Sequence, residues 1–181
     1  MPSRIEDYAL IGDCHTAALV ARSGSIDWLC FPRFDSGDCF AALLGSEEHG
    51  HWSINPAEEI RRIRRGYRNG TLVLETNYET ADGAATVIDC MPPRSKEADL
   101  VRVVAGTRGQ VRMRMELVVR FDYGSIVPWA RRTANGMARR SRHAKPAIRR
   151  LSAQRELQDR SRIYNLRRPA RTICADVASV T

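Results

Sequence analysis

From Val111 to Val119 every second residue is apolar: Val111, Met113, Met115, Leu117 and Val119 alternate with Arg112, Arg114, Glu116 and Val118. Side chains on a strand point to opposite faces in turn. A period of two therefore describes an antiparallel strand with one face buried and one face wet. A helix would need a period near 3.6, which this stretch lacks.

The same grammar runs back through the chain. Residues 16–22 and 25–31 flank Ser23-Gly24, a two-residue hairpin signal. In 25–31, simple alternation places Ile26, Trp28 and Cys30 on one face and Asp27 and Leu29 on the other. Pro32 ends that strand, because it has no N–H for the ladder. Residues 71–80 and 84–91 read as a hairpin across Ala81-Asp82-Gly83. Residues 100–107 and 110–121 read as a second one across Arg108-Gly109. His51 to Ile54 is a short strand, and the charge-dense 60–68 is a solvated strand edge or loop. Residues 38–44 read as one or two helical turns, with Asp38 as N-cap and Gly45 as stop signal. Short strands joined by glycine turns predict an all-β fold, an antiparallel β-sandwich, over residues 1–132.

Charge marks a second region. The chain of 181 residues has a formal net charge of +8, which by itself points to nucleic acid or an anionic membrane as partner. The charge is unevenly spread, however. Residues 1–129 hold 15 basic and 18 acidic side chains, whereas 130–181 hold 14 and 3. The basic part carries paired arginines, one aromatic (Tyr164) and no alternation. The expectation for 133–181 is a basic tail, disordered or loosely helical, beside an incomplete sandwich. Nucleic-acid readers interleave aromatics with their cations or present a recognised motif. Neither is seen, so no specific nucleic acid is expected.

Other classes are excluded more simply. No apolar run approaches the roughly 18 residues of a membrane span, so no membrane partner is expected. The N-terminus has no long apolar segment of a secretory signal. The five cysteines are odd in number and form no C-x-x-C pair, which predicts reduced thiols in a cytoplasmic protein. His49 and His51 share a strand face, but no third ligand lies nearby in sequence, so no metal and no cofactor are expected. A Cys30–His15 pair is conceivable, but nothing in sequence brings the two together.

One segment stands out. Asp27-Trp28-Leu29-Cys30-Phe31-Pro32-Arg33-Phe34-Asp35-Ser36 packs three aromatics, an arginine and two aspartates around a proline. Rings stack on sugar C–H bonds, and charged groups bond to hydroxyls. The plainer alternative is a strand end whose aromatics fill the core and whose Arg33 pairs with Asp35. On residue types alone that alternative is favoured.

Blocks of sequence then add a resemblance. Residues 5–20, from Ile5-Glu6-Asp7-Tyr8 through Gly12-Asp13-Cys14-His15-Thr16, are followed by Gly24-Ser25-Ile26-Asp27-Trp28-Leu29-Cys30-Phe31-Pro32-Arg33-Phe34-Asp35-Ser36 and Phe40-Ala41-Ala42-Leu43-Leu44-Gly45. With Gly50-His51-Trp52-Ser53-Ile54, Tyr67, Val87-Ile88-Asp89-Cys90-Met91-Pro92 and Phe121-Asp122-Tyr123-Gly124, they resemble the start of bacterial glycoside hydrolase family 15 proteins. These are the trehalase-like and glucoamylase-like enzymes. The resemblance covers roughly residues 4–132. It implies an N-terminal β-sandwich ahead of an (α/α)6 barrel. It also implies hydrolysis of α-glucosidic bonds, in trehalose or a glucan, with inversion by two carboxylates of the barrel.

No glutamate here matches either carboxylate, so no catalytic residue is assigned. The expectation is a truncated, non-catalytic portion, inactive alone, with an α-glucoside as partner only in a full-length enzyme. Trp28, Arg33, Phe34 and Asp35 are the substrate-binding candidates, on a loop toward the barrel. The other functional expectation is a carbohydrate-binding or accessory module whose basic tail binds anionic polymers. Past residue 132 the resemblance fades. The whole chain has 27 Arg against 2 Lys, which suggests GC-rich coding, and the expectation is that residues from about 133 onward are read out of frame.

Overall fold

In the computed structural model the chain is described for residues 3–94, 98–133, 136–140, 147–151, 161–167 and 173–180, with side chains for 3–94 and 98–128. The fold is all-β and antiparallel, as the alternation predicts. Its strands are β1 (Tyr8–Gly12), β2 (Ala17–Ala21), β3 (Ser25–Cys30), β4 (Asp38–Phe40), β5 (His51–Pro56), β6 (Arg62–Tyr67), β7 (Leu74–Glu79), β8 (Gly83–Cys90) and β9 (Asp99–Val118). Further on come β10 (Trp129–Thr133), β11 (Gly136–Arg140), β12 (Ala147–Leu151), β13 (Ser161–Arg167) and β14 (Ile173–Val180).

The strand β9 organises everything else. Its first half pairs with β8, through Val87↔Val104 and Ile88↔Val103. Its second half pairs with β5, through Trp52↔Leu117 and Ile54↔Met115. One strand thus belongs to two ladders, β1-β2-β3-β5 on one side and β6-β7-β8 on the other. The sheet curls about it into a half-barrel. Ile11, Val20, Leu29, Trp52, Leu74, Tyr78 and Val87, from both ladders, close on one core.

This corrects the second expected hairpin. Residues 100–107 do not fold back on 110–121; the two halves run on as one strand. The inward residues explain why. Leu100, Arg102 and Val104 are buried in the first half, and Val111, Met113, Met115 and Leu117 in the second. The inward parity changes from even to odd. A hairpin would allow that change, but so does one inserted residue. The register supplies the insertion, since Ala84 faces Arg108 while Ala85 faces Gly106. The Arg108-Gly109 signal is used as a bend inside a strand.

Two further expectations are corrected. Residues 38–44 are not helical turns capped by Asp38. Asp38–Phe40 is a strand paired with β3, followed by a 3-10 turn over Ala42–Leu44 that ends at Gly45. Phe40 is buried opposite Leu29, and that pairing outweighs a weak helical stripe. In β3, Ile26 and Leu29 both point inward while Trp28 is half-exposed. A register shift against β2, where Leu19 faces Trp28 but Val20 faces Ile26, breaks the simple alternation.

Other expectations hold. The hairpin of β7 and β8 is present, and β6 is an exposed edge strand. Its Tyr67 hydroxyl donates to the Leu10 carbonyl at 2.8 Å and accepts from the Leu10 amide at 2.9 Å. That satisfies outward backbone groups of β1, which would otherwise be an open edge.

Where a disordered or loosely helical tail is expected, the described segments β11 to β14 are extended. β13 pairs with the second half of β9 and β14 with the first half. Backbone groups left free along so long a strand recruit extended chain. The rest of that tail lies outside the described residues. Among the described residues, no helix is long and apolar enough to cross a membrane.

Candidate functional site

Strand β3 leads into the 31–37 loop, which returns through β4. Phe31 is buried, and its amide donates to the Gly37 carbonyl at 3.2 Å, closing the loop at its base. The tip carries Arg33, Phe34 and Asp35. Arg33 donates to both Asp35 carboxylate oxygens, at 2.9 and 3.2 Å. That hydrogen bond, with the guanidinium charge, holds the exposed Asp35 carboxyl below its ordinary range. The pairing expected from residue types is therefore present. Phe34 is 63% exposed, so it is a surface side chain and not a core one.

Trp28 lies at the start of this feature and meets Tyr123, with ring centroids 6.4 Å apart and planes at 35°. Tyr123 belongs to a turn in which Asp122, Tyr123 and Gly124 all have positive φ, at 52°, 55° and 93°. Two consecutive non-glycine residues there store strain. The turn is held by an isolated Phe121↔Ile126 bridge and by Asp38, whose Oδ1 accepts from the Tyr123 amide at 2.9 Å. Burial, with the Asp122 carboxylate adding to it, raises the Asp38 carboxyl against that amide's opposing effect.

The other foot of the loop rests on Asp13. Its side chain is 0% exposed. Oδ1 accepts from the His15 and Thr16 amides at 2.9 and 2.8 Å. Oδ2 accepts from Arg94 Nε and Nη2 at 2.9 and 2.7 Å. Arg94 Nη2 also donates to the Pro32 carbonyl, and the Phe34 amide donates to the His15 carbonyl at 3.0 Å.

Desolvation pushes the Asp13 carboxyl up. The two amides and the guanidinium together outweigh it and hold the carboxyl below its ordinary value of 3.8. A carboxyl depressed on folding stabilises the fold above its unfolded value, and that stability is lost as pH falls through the folded value. Below about pH 4, Asp13→Asn is therefore expected to show a shallower acid loss of stability than the parent chain. Urea midpoints measured from pH 2.5 to 6 check this; parallel acid limbs would contradict it.

A separate polar cleft of about 610 Å³ lies near Ser25, Asp27, Ser46, Glu47 and Glu48. Asp27 is already engaged, by the Tyr8 hydroxyl at 2.7 Å and by Ser25. Burial and then the Asp27 carboxylate raise the Tyr8 phenol. His49 and His51 do not share a site. His51 is buried with Nδ1 against the Glu47 carbonyl at 2.9 Å, and His49 sits in an exposed 3-10 turn beside Ser46. Among the described residues no cluster of His, Cys, Asp or Glu is arranged to hold a metal.

The structure thus brings Trp28 to Tyr123 and Arg33 to Asp35, and it presents Phe34 outward between them in sequence. Sequence reasoning missed Asp13, Asp38, Arg94 and Tyr123. Asp13 had a signal, an Asp followed by a Thr three residues on, the pattern of an Asx-type turn. Arg94 had none, because its partner is 81 positions away.

No solved structure matches. A trehalase from Mycolicibacterium smegmatis is 31% identical over 141 residues, covering 67% of this chain and 21% of the relative. Trehalase 1 from Sulfolobus acidocaldarius is 34% identical over 127 residues, covering 70% and 21%. A trehalase from Mycobacterium tuberculosis is 31% identical over 138 residues, covering 66% and 20%. The chain spans about a fifth of the length of the curated relatives it matches. The family model described as "Trehalase-like, N-terminal" matches residues 1–149, and with the β-rich fold that carries those residues, the chain belongs to the trehalase-like N-terminal family.

Proposed function

We propose that the chain is the N-terminal, non-catalytic portion of a glycoside hydrolase that cleaves α-glucosidic bonds, in trehalose or a starch-type glucan, with inversion. On this reading the barrel of family 15 enzymes supplies both catalytic carboxylates, and the chain is inactive alone. Trp28, Arg33, Phe34 and Asp35 face the substrate from the β-domain. The observation that carries the reading is the exposed, internally braced 31–37 loop within a stretch that matches the trehalase-like N-terminal family.

The chemistry fits a neutral polyol. Phe34 and Trp28 offer ring faces, and the Arg33–Asp35 pair offers donors and acceptors close together. Thiols at Cys14, Cys30 and Cys39 that form no disulfide among the described residues favour the cytoplasm. No specific nucleic acid and no membrane enter the reading.

A graft tests it. Residues 1–128 replace the corresponding segment of the Mycolicibacterium smegmatis trehalase. The chimera is expected to release glucose from trehalose, while the purified chain releases none. Glucose release by the chain itself would overturn the reading.

A further inference from the structure

We infer that Arg94 is the positioning residue of the 31–37 loop: it clamps Pro32 to the Asp13 turn and so fixes the place of Arg33, Phe34 and Asp35. This rests on the reading that the loop serves a glucoside site. Arg94 follows β8, on the opposite ladder from β3 and β4. Its guanidinium forks onto Asp13 Oδ2 through Nε and Nη2 and onto the Pro32 carbonyl through Nη2. The Asp13 carboxylate is fully buried, while the Arg94 side chain is 16% exposed. A charge-assisted fork in such a place is strong and directional.

The clamp is also connected onward. Asp13 fixes the His15 and Thr16 amides, and the His15 carbonyl then receives the Phe34 amide. The Thr16 hydroxyl closes onto the Cys30 carbonyl, just ahead of the loop. The N-terminal side of the exposed tip, at Cys30 and Pro32, and the Phe34 amide are therefore tied to one buried carboxylate. By contrast, the Arg33–Asp35 pair lies within the tip and ties it to nothing else. Without Arg94, the tip would keep its own pair but lose its fixed place on the sheet.

Amide hydrogen exchange on the full chain tests the clamp. Arg94→Lys keeps a charge but loses the planar fork, and Arg94→Gln loses both charge and fork. The Phe34 and Ser36 amides are expected to exchange about tenfold faster or more in Arg94→Lys, and faster again in Arg94→Gln. Amides of β7 and β8 should keep their rates. If Arg94→Gln does not fold, Arg94→Lys carries the test. Unchanged loop rates would overturn the clamp. So would loop rates that rise only in step with those of β7 and β8, which is the signature of global destabilisation.

In the trehalase chimera, Arg94→Lys is expected to raise KM severalfold and leave kcat within about twofold. A loosened loop with an unmoved KM would leave the clamp standing and sink the placement of the loop at the glucoside site. The two readings therefore fail separately.

Discussion

Replacing Arg102 with methionine is expected to remove about 3–5 kcal/mol of folding stability. Arg102 is fully buried on β9. Its Nε donates to Asp89 Oδ1 at 2.7 Å, and Nη2 donates to Asp89 Oδ2 at 3.2 Å. The same guanidinium reaches across the core to the carbonyls of Trp52 and Gly24, the latter at 2.8 Å. It also lies 5.3 Å from the Trp52 ring centroid. One side chain therefore staples the β8–β9 ladder to β5 and to the β2–β3 turn.

Desolvation makes such an ion pair a poor source of net stability, yet its breakage is expensive because the Asp89 carboxylate stays behind, buried and unpaired. The double variant Asp89→Leu/Arg102→Met is thus expected to be more stable than Arg102→Met alone, by about 2 kcal/mol or more. Urea unfolding gives both numbers. A loss under about 1 kcal/mol in Arg102→Met would mean that the staple is not what joins the ladders.

The second large effect is expected at Gly109. Its φ is +57°, and a Cβ there would run into the Asp82 carbonyl oxygen. No flexible side chain can give way, because the obstacle is backbone. Gly109→Ala must therefore part β9 from β8 just where the strand crosses between ladders. The expected loss is about 2–4 kcal/mol, with faster amide exchange in Ala84 and Ala85 than in β5. A variant as stable as the parent would contradict the account of the bend. Gly24 is under similar constraint, at φ +89° with the Ile54 carbonyl oxygen 2.5 Å from where a Cβ would sit, and there the close approach lets its carbonyl meet Arg102.

These two residues also show how far the sequence could be read. Alternation around Met113 and Met115 settled the strand and its buried face, because the period of two needs no tertiary partner. Gly109 was legible as a break in the chain's course but not as to its kind. Hairpin and bulge both tolerate a change of parity, and only the partners available to each half decide between them. Arg102 sat at an inward position of an alternating strand, where a buried charge is unexpected; its partners came from three separate segments. At the site, the Arg33–Asp35 pair was legible because it is local. Arg94, tied to Asp13 from the far ladder, was not.

The central claim is that this β-domain contributes the 31–37 loop to a glucoside site completed by a catalytic domain. Its most direct test is kcat/KM for trehalose in the chimera, with and without Arg33→Ala. The account predicts a fall of about tenfold or more, equivalent to about 1.4 kcal/mol of transition-state stabilisation, with the fold of the chimera intact by urea unfolding. An unchanged kcat/KM in a folded chimera would contradict it.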